Sequence, residues 1–282
     1  MQEPRTLMTG IAFGESPRWH DGRLWFSDWG AGEVIAVDTT GRSEVITRID
    51  GFPFCIDFLP DGRLLVVSPG ERNLLRREAD GSFVTHVELA HLSELGWNDI
   101  GVDSHGNVFV GNVNFAFGRG GEYQPGMVAV ARPDGSAEQV ADGLAFPNGI
   151  MVSADDSTLI VAESYGRCLT GFDIAADGTL SGRRVWADLG AAAAPDGICV
   201  DAEGAVWYGD VPNRCCVRVA EGGEVLQRFD LEHGCFSCAL GGDDGRQLFM
   251  VVRSWAGSAG MDFSDRGGRV LVVDVDVPGL DR

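Results

Sequence analysis

Four side chains with hard oxygen donors, Glu15, Asn98, Asn148 and Asp196, recur at one place in a repeating sequence unit. Two are carboxylates and two are carboxamides, with no His or Cys among them. Such a set suits Ca²⁺ best, is compatible with Mg²⁺ or Mn²⁺, and is less natural for Zn²⁺, which favours nitrogen and sulfur ligands. Gathered around one point, these groups would hold a divalent cation. The chemistry open to such a site is Lewis-acid activation of a carbonyl or phosphoryl group and of a water, with a carboxylate taking the proton.

The elements that must gather them are visible as a period. A short apolar run, a polar turn usually ending in Gly, and a second β-rich run recur six times, with turns at Gly22, Gly62, Gly106, Asp156, Gly204 and Gly245. The separations are 40, 44, 50, 48 and 41 residues. The fourth copy lacks the Gly, and its turn is placed at Asp156 because PNGIMVSADD lies without gaps over PDGICVDAEG. Each copy reads as a hairpin of β-branched and aromatic residues. A second strand pair such as GEVIAVDTTGRSEVIT or CVRVAEGGEVLQRF follows it. Four strands and four connections account for a unit of about 42 residues. Six four-stranded antiparallel sheets cannot each bury both faces alone, and radial stacking does so while leaving short edges, so the expected fold is an all-β six-bladed β-propeller. Leucine-rich and helical repeats fit neither the unit length nor the period, and the WD40 signature is absent. With no linker or shift of composition, residues 1–282 read as one domain. The near-C-terminal run GGRVLVVDVDV is expected to share a blade with the N-terminal residues and close the ring.

In a propeller the innermost strands all begin at one end of the central channel. Counting back eight residues from each turn, or seven in the first blade, gives Glu15, Phe54, Asn98, Asn148, Asp196 and Ser237. Taken singly, Pro147-Asn148-Gly149 and Pro195-Asp196-Gly197 are ordinary turn tripeptides. Agreement of register across four copies favours a ring of ligands.

These motifs resemble a family, the regucalcin (senescence marker protein), gluconolactonase and luciferin-regenerating group of six-bladed propellers, to which diisopropylfluorophosphatase-like enzymes are related. The resemblance rests on Gly14-Glu15-Ser16-Pro17 with Trp19 and on Asn98-Asp99 with Asp103 and Gly106. It extends to Pro147-Asn148-Gly149, to Pro195-Asp196-Gly197 with Asp201 and Gly204, and to Cys238 with Gly241-Gly242. It implies one divalent metal in the channel, with Glu15, Asn148 and Asp196 as direct ligands, Asn98 as a further ligand or substrate contact, and lactone hydrolysis as the activity. Asp196 is then the expected general base, because the equivalent slot in the neighbouring copy holds Asn148, which can orient but cannot accept a proton. Sugar-lactonase members commonly carry an Arg two residues before the Asn of the Asn-Asp motif, and here that residue is Gly96. A lactone less polar than a sugar lactone is therefore expected, contacted by Asn98, Trp97, Phe54 and Phe146. Phosphotriester or ester hydrolysis on the same metal, or a non-catalytic metal-binding propeller, are the alternatives.

Composition bounds the partners. The 22 cationic side chains are all Arg, so Schiff-base, pyridoxal and P-loop lysine chemistry is excluded. A net charge of −20 repels phosphate backbones and anionic lipid, so a small molecule is expected as the partner rather than nucleic acid or a membrane. No basic head with an apolar run opens the sequence and no run approaches about 18 apolar residues, which reads as a cytoplasmic protein. Seven cysteines in such a chain are expected to be reduced packing residues, the Cys235–Cys238 CxxC spacing included. A Ser-His-Asp hydrolase is disfavoured, since no GxSxG is present and Ser237 has only His233 nearby in sequence.

Overall fold

Strand-forming residues on either side of each turn pair as the period requires. A computed structural model of the chain describes residues 3–118, 120–257 and 263–280, and the described residues form 24 strands and no helix. They make six four-stranded antiparallel sheets, blades 1–6 in the order of the turns at Gly22, Gly62, Gly106, Asp156, Gly204 and Gly245, five of them built from four consecutive strands. In the sixth, the N-terminal strand Arg5–Ile11 pairs with Gly268–Asp274, so the two ends of the chain close the ring within one blade. All six turn positions inferred from the period have left-handed backbone, with φ of 70° at Gly22, 82° at Gly62, 84° at Gly106, 78° at Gly204 and 73° at Gly245. Asp156, in the copy without the Gly, has φ 57°, a conformation Asp tolerates better than most residues.

Each seam between neighbouring blades is filled by its own apolar cluster. Phe54, Ile56 and Val66 pack with Val34 and Trp25 between blades 1 and 2, and Ile198 and Tyr208 pack with Ile160 and Leu169 between blades 4 and 5. The seam between blades 5 and 6 includes Cys199, Cys216, Cys235 and Cys238. All seven cysteines are free thiols, with Cys199 and Cys238 at 3.7 Å between sulfurs.

The glycines of the two Pro-x-Gly tripeptides have a role beyond turns. Gly149 and Gly197 lie on the inner strands Pro147–Val152 and Pro195–Val200. A Cβ on Gly149 would stand 2.6 Å from the Ile198 amide nitrogen and 2.7 Å from the Asp196 carbonyl oxygen. Those neighbours are backbone and cannot swing away. Glycine thus lets two inner strands approach closely enough to bring Asn148 and Asp196 together. Gly149→Ala is expected to cost about 1–3 kcal/mol through overpacking. Urea denaturation measures this, and an unchanged midpoint would refute the close-approach argument.

Candidate functional site

Local irregularity aims the ring residues inward. The inner strands of blades 1, 4, 5 and 6 each carry a register shift near their start, between Glu15 and Arg18, Pro147 and Ile150, Pro195 and Ile198, and Cys235 and Ser237. A β-bulge bends the strand and redirects the side chains within it. The shifts in blades 4 and 5 contain Asn148-Gly149 and Asp196-Gly197.

The chain entering the inner strand is held by the end of the second strand of the same blade. Asp28 accepts hydrogen bonds from the Ala12 and Phe13 amides at 3.0 and 2.8 Å. Glu163 accepts from the Ala145 amide, and Asp210 accepts from the Ala194 amide at 3.2 Å. In blade 3 the polarity reverses, and the Asn112 amide donates to the Gly96 carbonyl at 2.8 Å. Four blades use one device, a buried polar side chain clamping the peptides two or three residues before the ring position.

The structure puts Asn98 and Asn148 in direct contact, with Asp196 tied in through its neighbour Pro195 and Glu15 linked to Asp196 by charge. Asn98 Nδ2 donates to Asn148 Oδ1 at 3.3 Å and to the Pro147 carbonyl at 3.4 Å. Asn148 Nδ2 donates to Ser164 Oγ at 3.3 Å, and Ser164 Oγ donates to the Pro195 carbonyl at 2.7 Å, which ties the residue before Asp196 into the same network. Burial first, and then Asp99 and Asp210, push the Asp196 carboxyl well above its ordinary value, against a smaller lowering by the neighbouring Asn148 side chain. Glu15, on a blade two steps around the ring, is raised well above its ordinary value by burial, then by Asp196 and Asp99.

Asp99, which acts on both carboxyls, is itself paired with a buried cation that the sequence reading did not single out. Arg18 Nη2 donates to Asp99 Oδ1 at 3.1 Å and to the Ile100 carbonyl at 2.6 Å, Nη1 donates to the Pro17 carbonyl at 3.0 Å, and Nε lies 3.2 Å from Asp57 Oδ2. The second Asp99 oxygen accepts the Ile150 amide at 3.1 Å. Three inner strands are thereby joined through one guanidinium. Ser164 is likewise a functional neighbour missed earlier, because it sits after the second strand of blade 4 and its type gives no signal.

Two expected substrate contacts are corrected. Phe54 and Trp97 are 0% and 1% exposed and belong to seam clusters. In blade 3, neighbouring residues of extended chain face opposite ways, so an inward Asn98 sends Trp97 outward into the seam. In blade 2 the inner strand is only Ile56–Phe58, and Phe54 precedes it. Phe146 is buried at the base of a ring cluster beside Asn148, and Ser237, the sixth ring position, is buried. His20 is half-buried and stacks on Phe58 at 3.8 Å, and His233 lies 3.1 Å from Ser254 Oγ. Neither reaches the four donors through a described hydrogen bond.

The donor set fits a hard divalent cation. Asp196 Oδ1 is buried without a hydrogen-bond partner, near the Asn148 carboxamide, and the Asp196 charge acts on the buried Glu15 carboxylate. Among the described residues no three His, Cys, Asp or Glu side chains gather into a metal-binding group.

The family model of the SMP-30/gluconolactonase/LRE-like region matches residues 13–254. The chain belongs to that family. Regucalcin of Bos taurus is 24% identical over 276 residues, covering 95% of this chain and 92% of that protein. The diisopropyl-fluorophosphatase of Loligo vulgaris is 28% identical over 176 residues, and the match covers 56% of this chain and 56% of that protein's length. The crystal structure of regucalcin from Agrobacterium tumefaciens, described as a calcium-binding protein, superposes with a TM-score of 0.80 at 22% identity over 98% of this chain and 95% of that one. Membership of the family accounts for the closed ring of six blades. No helix among the described residues is long and apolar enough to cross a membrane.

Proposed function

We propose that this chain is a divalent-cation-dependent hydrolase that opens lactones less polar than sugar lactones, with Ca²⁺ the best-suited ion and Asp196 the general base. The observation that carries it is the convergence of the buried Glu15 carboxylate and the half-buried Asp196 carboxylate, whose charge raises the Glu15 pKa, with Asn98 and Asn148 in contact between neighbouring blades. The family's gluconolactonase members support the reaction class, and the calcium-binding neighbour supports the ion.

Glu15, Asn148 and Asp196 would hold the cation, with Asn98 as a further ligand or substrate contact. When bound, that ion supplies Lewis acidity, polarising the lactone carbonyl and making a water easier to deprotonate. Asp196 offers its unpartnered Oδ1 to take the water's proton as attack proceeds. Asn148, fixed by Ser164 and Asn98, orients without exchanging protons. Glu15 balances charge. Arg18 is ion-paired with Asp57 and Asp99 and anchors the inner strands rather than the substrate.

The deciding experiment measures hydrolysis of simple lactones, an aryl ester and a fluorophosphate, with and without chelator. Lactone opening that chelator abolishes and Ca²⁺ restores is expected. A preference for the fluorophosphate would instead favour the reaction in the name of the Loligo relative. A melting shift with cation but no turnover would leave a binding protein.

The same samples give a pH test. A carboxyl whose pKa is raised by folding binds its proton more tightly folded than unfolded, so its contribution is complete below the unfolded pKa and is lost as pH rises through the folded one. With chelator, Glu15 and Asp196 are expected to make the melting temperature fall as pH rises above the ordinary carboxylate range. Ca²⁺ at about 100 times its Kd is expected to stabilise the fold by about 2.7 kcal/mol and to remove that slope. A pH-independent melting temperature in chelator would refute the pairing.

A further inference from the structure

Five aromatic rings gather where the connection 113–125 of blade 3 meets the start of blade 4. Phe146 is their buried base, with ring centroids 4.9 Å from Phe117, 5.7 Å from Phe115 and 4.7 Å from Tyr165. Tyr123 packs 5.6 Å from both Phe115 and Tyr165. Exposure grows outward, from half-buried Phe115 and Phe117 to Tyr123 and Tyr165, which are 46% and 52% exposed. Tyr165 meets its three partners at tilts of 38° to 44°, neither stacked nor edge-on.

This cluster is continuous with the proposed site. Phe146 stands two residues before Asn148, and Tyr165 directly follows Ser164, whose hydroxyl joins Asn148 to the Pro195 carbonyl. Phe146 has φ 63°, a left-handed conformation costly for a bulky side chain. Backbone hydrogen bonds fix it there: its carbonyl accepts the Ser164 amide at 3.0 Å, and the preceding Ala145 carbonyl accepts the Tyr165 amide at 3.0 Å. Glycine would relieve the strain, and the chain places a phenyl ring at that point instead.

The chemistry of the neighbourhood favours a ring over a polyol. Asn112, at the base of the 113–125 connection, donates to the Gly96 carbonyl and accepts the Asn114 amide, and Asn114 Nδ2 donates to the Pro125 carbonyl. Those amides are engaged within the protein. Hydroxyls laid on the aromatic surface would lose water without replacement, whereas a flat aromatic ring would exchange water for offset ring contacts.

We infer that the substrate carries an aromatic ring fused to, or a bond or two from, its lactone, and that this ring seats against Tyr165 and Phe115 while the lactone lies at Asp196. The inference rests on the lactone-opening reading and names the substrate class of the same site. Tyr165 is its specificity-determining residue.

The test uses the Ca²⁺-loaded protein with dihydrocoumarin, an aryl-fused δ-lactone, and δ-valerolactone, the same ring without the aryl group. The KM for dihydrocoumarin is expected to be at least about ten-fold lower. Tyr165→Ala is expected to raise that KM about ten-fold with little change in kcat or in the KM for δ-valerolactone, and Tyr165→Phe to restore it. Equal KM values in the wild type, or a Tyr165→Ala effect on both lactones or on neither, overturns the inference.

Calorimetric binding of 2-tetralone, which has the fused ring but no ester bond, separates the two claims. If no lactone is opened yet 2-tetralone binds and Tyr165→Ala abolishes that binding, the hydrolase reading falls and the ring site stands. If lactones are opened without ring preference and 2-tetralone does not bind, the ring site falls and the hydrolase stands. Neither turnover nor binding refutes both.

Discussion

Asp196→Asn is expected to leave the propeller folded and to lower kcat for lactone opening by about 10²- to 10⁴-fold, the range that removal of a general base commands. The substitution conserves shape, so Asn148 and the Pro195 peptide keep their places on Ser164. What disappears is the basicity of the carboxylate whose Oδ1 is buried without a partner, since an amide oxygen at that place cannot take the water's proton. Removing the negative charge also relieves Glu15, whose raised pKa owes its second-largest part to Asp196. The chelated variant should therefore melt no lower than the chelated wild type, while its response to Ca²⁺ weakens. Steady-state rates and thermal melts on both proteins check the two halves. Turnover within a few-fold of wild type would remove Asp196 from the role of base. Asn148→Asp makes the complementary case, since it places a second acid beside Asp196 and is expected to strengthen cation binding without replacing the base.

The architecture was legible because its signals are local. A turn needing left-handed backbone selects Gly, and Asp156 satisfied the same need in the copy where Gly is missing. Ring membership was legible from register for Glu15, Asn98, Asn148 and Asp196, since equivalent positions in a pseudo-symmetric ring share an axis. The same register misled at Phe54, because blade 2 begins its inner strand late and the side chain enters a seam. Trp97 was misread because adjacent residues in extended chain point to opposite sides. The bulges that redirect Asn148 and Asp196 depend on the partner strand, which a single segment does not encode. Gly149 and Gly197 looked like turn residues, and only the neighbouring blade shows that they serve close approach. Arg18 was invisible for a related reason: its partners Asp57 and Asp99 lie on two other blades, and nothing in Pro17-Arg18-Trp19 distinguishes a buried guanidinium from a surface one.

Arg18 is the residue whose loss should damage the fold most. Its side chain and those of Asp57 and Asp99 are 10%, 16% and 8% exposed, so the three charges are largely withdrawn from water. Burial opposes the guanidinium's charge, and Asp99 and Asp57 outweigh it, holding the pKa above its already high ordinary value. Arg18 is therefore cationic at every pH at which the protein folds. Arg18→Met fills similar volume but leaves two buried carboxylates without a counter-charge and leaves the Ile100 and Pro17 carbonyls without this donor. Breaking a buried ion pair from one side costs about 3–5 kcal/mol, because the stranded charge keeps its desolvation penalty. Urea denaturation with chelator present is expected to show a loss of that size. Adding Asp99→Asn to Arg18→Met should recover part of it by removing one stranded charge. Asp99→Asn alone should cost less than Arg18→Met, since Arg18 then keeps Asp57 and both carbonyls. A midpoint for Arg18→Met close to wild type would show that the three inner strands are held by their apolar seams alone. In that case Arg18 would be free to be reassigned to the substrate.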